Sequence, residues 1–178
     1  GHFENLGLYE MVRRRCRHIV VVDAGCDPHY AFEDLGNAVR KIEIDFGITI
    51  RFHGLDKLRP RIPPQFLDEF LGGPIAMHGK GDDPGPPPYH AIGVIDYASA
   101  DGPGVQEGTI LYIKPGYHGT EKSAGILSYA SSNPNFPHDD TANQWFGEAQ
   151  MESYRALGFE ITDSVVSSAL AGLPVHCI

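Results

Sequence analysis

The stretch HIVVVD at 18–23 is an almost unbroken β-branched run, and it restricts the fold more than any other part of the chain. Branched side chains are stiff at χ1 and fit a pleated surface. A run without polar alternation predicts a strand buried on both faces, as in a parallel sheet covered by helices. After the turn AGCDP, the residues Phe32, Leu35, Val39, Ile42 and Phe46 recur at intervals of three and four, which predicts an amphipathic helix. Asp27 and Pro28 supply its N-cap and first residue, and Gly47 stands where it would end. ITIRF at 48–52 is a second strand. Strand, helix and strand over this distance form a βαβ unit, expected to be right-handed and parallel.

Flanking this unit, Leu8, Met11, Val12 and Cys16 make a first apolar stripe at helical spacing, with Asn5 as its expected N-cap. The composition changes at 54–89, which hold eight of the fourteen prolines and six glycines. Only PQFLDEFL at 64–71 carries helical periodicity there, and GDDPGPPPY is expected to be extended and solvated. A connection of this length and composition suggests a lid or substrate-approach element. AIGVIDY at 91–97 and TILYIKP at 109–115 predict an antiparallel pair. TANQ at 141–144 has the form of a capping box led by Thr141. It opens an expected helix with Trp145, Phe146, Ala149 and Leu157, ended by Gly158, and a short helix follows at 163–174. The fold class is therefore α/β, with 1–53 as one part of a sheet domain, 54–89 as a loop and 90–178 as an α+β extension of the same domain.

Several function classes are disfavoured by composition. The net charge is −9, whereas a nucleic-acid partner demands a basic face. Only Arg13, Arg14, Arg15 and Arg17 resemble one, and arginines at a helix C-terminus are expected as a solvated face. Cys16, Cys26 and Cys177 show no paired spacing. They suggest neither a disulfide framework nor a zinc knuckle, and they fit a reducing compartment. No apolar run reaches the roughly 18 residues of a membrane span. The expected location is cytoplasmic or membrane-associated.

Self-contained catalytic motifs are absent. There is no G-x-S-x-G and no H-E-x-x-H, and GGPIAMHGK fails the spacing of a phosphate loop. His138, Asp139 and Asp140 are adjacent, but neighbouring side chains rarely converge on one ion, so PHDD is expected as a solvated loop. Asp23 ends the buried strand at the edge where α/β proteins place their sites. A carboxylate there also serves simply to bind the backbone of the next turn. His29, Glu33 and Asp34 open the helix that follows, where acidic residues suit the dipole.

The opening GHFENLGLYEMVRRRCRHIVVVDAGCDP resembles the segment of bacterial patatin-like phospholipases that follows their catalytic aspartate, in the subfamily related to cytosolic phospholipases. The likeness continues through FEDLGNAVRKIEIDFGI, GTILYIKP, NPNFPHDDTANQWF and ESYRALG. The resemblance implies the C-terminal part of a patatin-like three-layer sheet domain and a serine hydrolase acting on acyl esters of lipids. That family uses a Ser–Asp dyad and an oxyanion hole. Gly1 matches the last glycine of the Asp-Gly-Gly turn, so the serine, the aspartate and the oxyanion loop would all precede residue 1, and residues 1–178 alone would be inactive. Gly1, His2 and Asn5 would then support the active site by fixing the turn that carries the acid. The resemblance implies no cofactor and no metal. Its partners would be a lipid or other acyl ester, with a possible membrane surface. The alternative is a non-catalytic interaction or scaffold module presenting the long loop and the Trp145–Phe146 region.

Overall fold

The strands β1 (His18–Val22), β2 (Thr49–His53), β3 (His90–Asp96) and β4 (Gly108–Ile113) form one mixed sheet in the order β1-β4-β3-β2. The computed structural model describes residues 3–59, 87–140, 142 and 144–171. β4 runs parallel to β1 and antiparallel to β3, and β3 runs antiparallel to β2. β1 and β2 therefore point the same way, as the βαβ pattern predicts. They lie at opposite edges, however, because the β3–β4 pair inserts between them. The expected lid at 54–89, the helical stretch at 64–71 and the capping residue Thr141 fall largely or wholly outside the described residues. A single 3₁₀ turn, Leu55–Leu58, begins that connection.

One sheet face is covered by α1 (Leu8–Arg13) and α2 (Glu33–Phe46). Leu8 and Val12 of α1, with Leu35, Ala38 and Ile42 of α2, pack on Ile19, Val21, Ile95, Ile110 and Tyr112. Phe32, Val39 and Phe46 flank this core, so the apolar stripe of α2 faces inward as its spacing demands. The helix ends at Gly47 in the left-handed conformation, φ 67°, with its N–H bonded to the Glu43 carbonyl. Its start differs from expectation. Asp27 does accept backbone N–H bonds, from Ala31 at 2.8 Å and Phe32 at 2.9 Å. They close a turn before the helix, which begins only at Glu33. The start of α1 differs too: Gly7, φ 71°, precedes it, and Asn5 is not its cap.

The opposite face is only partly covered, by α4 (Ala124–Ser132) and α5 (Glu148–Ala171). α3 (Ala98–Asp101) is a single turn after β3. Ile126, Phe136, Leu157, Ile161 and Val165 form a second core, against which Tyr89, Leu111 and Ile113 pack. The cover stops short of β1. Ile19 and Val21 are buried, but Val20 and Val22 are 65% and 61% exposed. The expectation of a strand buried on both faces is therefore corrected: one face of β1 is open, and among the described residues it is an edge strand paired with β4 alone.

α5 also corrects the reading of the C-terminal region. Trp145 and Phe146 precede the helix, which begins at Glu148, and Gly158 lies inside it. Glycine there costs about 1 kcal/mol relative to alanine. Burying Leu157 and Ile161 contributes about 1.5–3 kcal/mol each, so the helix runs on.

The arginine cluster divides. Arg13 and Arg14 pair with Glu10 on the exposed helix face and hold its carboxyl down to about 2. Arg15, at φ 59°, instead reaches Asp101 through two bonds of 2.6 and 2.8 Å, with its guanidinium 5.7 Å from the Tyr97 ring centre. The Tyr97 hydroxyl, pushed up to about 12 chiefly by burial, donates to the Cys16 carbonyl at 2.6 Å.

Candidate functional site

Asp23 and Lys114 are the residues immediately after the parallel strands β1 and β4, at their C-terminal edge. The ladder extends one step further there, with Asp23 N–H bonded to the Ile113 carbonyl at 2.9 Å, which sets the two side chains beside each other. Both are 1% exposed, and Lys114 Nζ lies 3.1 Å from Asp23 Oδ1. Asp23 also accepts from Tyr112 O–H at 2.5 Å and from Gly25 N–H at 3.1 Å. Burial first, then the bond to Asp23, pushes the Tyr112 hydroxyl far up, so it stays a donor. Lys114 completes its shell with the Gly25 carbonyl at 3.3 Å and Asp27 Oδ2 at 3.6 Å.

Asp27 connects this pair to a second group. Burial would raise its carboxyl, but the N–H groups of Phe32 and Ala31, together with Lys114, hold it below the usual carboxylate range. Its own N–H donates to His138 Nδ1 at 3.4 Å, and His138 Nε2 lies 3.3 Å from the Tyr30 hydroxyl oxygen. Tyr30 O–H donates to the Pro115 carbonyl at 3.1 Å, so it accepts from His138 and the proton sits on Nε2. Burial, reinforced by Lys114, lowers the His138 pKa and keeps the ring neutral.

In front of this network lies a cleft of about 280 Å³, lined by Cys26, Asp27, His29, Glu33 and Asp34 with Asp23 and Lys114 behind. The Cys26 thiol donates to the His138 carbonyl at 2.9 Å. The opening turn reaches the same place: Asn5 Nδ2 donates to Asp34 Oδ1 at 2.9 Å, and Asp34 and Asp23 flank Gly25. The carbonyl of Phe3 is held by Asn37 and Lys41 of α2. Asn5 thus ties the opening segment to the lip of the cleft.

The structure brings together Asn5, Asp23, Asp27, His29, Glu33 and Asp34. Gly1 and His2 lie outside the described residues. PHDD is only in part the solvated loop expected of it: Asp140 is exposed, whereas His138 and Asp139 turn inward. His138 enters the network above, Asp139 accepts from Gln150 and Tyr154, and Asp140 accepts from Ala142 N–H. Asp23 does bond the following turn through Gly25, and it also anchors a buried ion pair. Lys114, Tyr112 and Tyr30 belong to the site although no sequence motif marks them. The one local signal was that Asp23 and Lys114 each end an apolar run, one acidic and one basic.

Chemically the network is closed. Every oxygen of Asp23 and the Lys114 ammonium are engaged, so neither is a free base or nucleophile. Among the described residues no hydrogen bond joins a serine hydroxyl or a cysteine thiol to a histidine ring or a carboxylate. The arrangement can fix the geometry of the cleft and its negative lip.

No family model, curated protein or solved structure matches the chain. No helix among the described residues is long and apolar enough to cross a membrane.

Proposed function

We propose that the chain is the C-terminal part of a patatin-like serine lipid acyl hydrolase, whose Ser–Asp dyad and oxyanion loop come from sequence preceding Gly1. The observation that carries this reading is the fastening of residues 3–7. Phe3 is held by two α2 side chains, and Asn5 is bonded to Asp34 at the cleft. The residues that resemble the turn after the catalytic aspartate are thereby fastened to α2, with Asn5 at the lip of the cleft. An acid carried just ahead of them would gain the fixed orientation that proton abstraction requires. The β1 edge, with Val20 and Val22 facing outward, leaves room for further sheet or helix alongside. The substrate class is an acyl ester of lipid, met at a lipid surface.

The test uses the whole protein and hydrolysis of a phospholipid or p-nitrophenyl ester. Alanine in place of the aspartate expected just before Gly1 abolishes turnover. Asn5→Ala loosens the turn and lowers kcat by up to about 100-fold with little change in KM. The reading is wrong if turnover survives removal of that aspartate, or if no Asp-Gly and no G-x-S-x-G precede residue 1.

A second reading, a non-catalytic interaction module, draws on the outer face of α5. Met151 and Val166 of α5 are exposed, at 61% and 50%, as is Phe146 before it at 54%. Retention of a protein partner by a variant lacking ester turnover would favour it.

A further inference from the structure

Away from the Asp23 cleft, a second cavity of about 540 Å³ lies between the 118–123 loop and α5. It falls within the size range of small-molecule pockets. Tyr89, Glu121, Lys122, Phe159, Asp163 and Ser164 line it. Glu121 is only 6% exposed. Its Oε1 accepts from His118 N–H at 2.7 Å and from Tyr89 O–H at 3.2 Å. Its Oε2 is buried and has no hydrogen-bond partner among the described residues. A carboxylate oxygen held away from bulk water gains most from a ligand that brings an N–H donor.

Nearby groups among the described residues do not supply that donor. The His118 ring stacks on Tyr89 with centres 4.6 Å apart, and neither of its ring nitrogens has a hydrogen-bond partner among the described residues. Burial lowers the His118 pKa, and the Glu121 charge offsets only part of that. The imidazole is therefore neutral near pH 7 and supplies no cation. Lys122 is exposed, and its backbone N–H is bonded to Glu160. Three carboxylates (Glu121, Glu160, Asp163) thus face one ammonium around a cavity walled by two aromatic side chains, Tyr89 and Phe159. Aromatic faces and carboxylates together suit an organic cation. Among the described residues no group of three His, Cys, Asp or Glu is placed to hold a metal ion.

We infer that this cavity binds a small primary amine, whose ammonium donates to Glu121 Oε2 while its carbon chain lies against Tyr89 and Phe159. The requirement is an N–H donor rather than positive charge alone. A quaternary ammonium would leave Oε2 unsatisfied and bind more weakly. Nothing in this assignment depends on the hydrolase reading.

The test is titration of the whole protein with 1,4-diaminobutane, followed by calorimetry and by the ring resonances of His118 and Tyr89. Saturable binding is expected at millimolar amine. It should weaken roughly ten-fold or more in Glu121→Gln, which keeps the acceptor for His118 and Tyr89 but loses the charge. Ser164→Trp, at an exposed position on α5, should fill the cavity and abolish binding without disturbing the fold. The assignment is overturned by absence of saturable binding, by unchanged affinity in both variants, or by equal affinity for tetramethylammonium. Displacement of the amine by magnesium with retention at Glu121 would also overturn it.

Discussion

At the scale of single residues, the Asp23–Lys114 pair decides most. Removing one partner of a buried ion pair leaves the other charge unsolvated, at a cost of about 3–5 kcal/mol. Lys114→Met should lower stability by that amount, read as a drop in the denaturation midpoint at unchanged m. The Asp23→Leu/Lys114→Met double variant should recover part of the loss, because neither charge of the pair is then stranded. Tyr112 O–H and Gly25 N–H still lose their acceptor, and Asp27 its cation. Additive losses would mean the pair is not coupled. This centre was half legible in the sequence. Asp23 stands out as an acid closing a β-branched run, but its partners are set by topology. Tyr112 lies 89 residues away, and His138 is 111 residues from Asp27. No local pattern encodes such distances. Asn5 shows the converse: its local promise as a cap yields to a tertiary bond with Asp34.

At the scale of elements, the glycines of helix and strand should respond oppositely to alanine. Gly36 lies in α2, and a Cβ there meets nothing within 4 Å. Gly36→Ala should therefore stabilise by about 0.5–1 kcal/mol through helix propensity and reduced unfolded-state entropy. At Gly108 a Cβ would sit 2.8 Å from Tyr97 Cε2 and 3.0 Å from Ile95 Cδ1. Both neighbours are fully buried, so Gly108→Ala should destabilise by about 1–3 kcal/mol. Paired urea melts check both signs. The elements legible in sequence were those whose periodicity and punctuation agree, as with the α2 stripe closed by Gly47, or β3 and β4 around their glycine-rich loop. α4 escaped notice because AGILSYASS is short and buries mainly Ile126. In sequence α5 divides in two at Gly158, a local break that the Leu157, Ile161 and Val165 spacing overrides in the structure.

At the scale of the whole molecule, acid sensitivity should originate in two histidines before any carboxylate titrates. His118 and His138 both have pKa values lowered by burial, so the unfolded chain binds their protons more readily than the folded one. Stability is therefore greatest above the unfolded value of about 6.5 and falls as pH drops below it. His138 is faced by Lys114, Asp27 and Asp23, with Tyr30 at its Nε2. Asp27, whose carboxyl is held low, contributes its loss only at lower pH, below about 3.9. A series of urea midpoints from neutral to mildly acidic pH should show this first decline. His138→Asn, which keeps an acceptor for the Asp27 N–H, should flatten it. The parallel join of β1 and β4 carries one more consequence, for folding fidelity. HIVVV and TILYI would tolerate a slip of two residues with their greasy faces still matched. Such a slip sets Asp23 opposite Tyr112 or Gly116 and strands the Lys114 ammonium in the interior. The ion pair thus acts as an error check on strand alignment, rejecting sheets that apolar matching alone would accept.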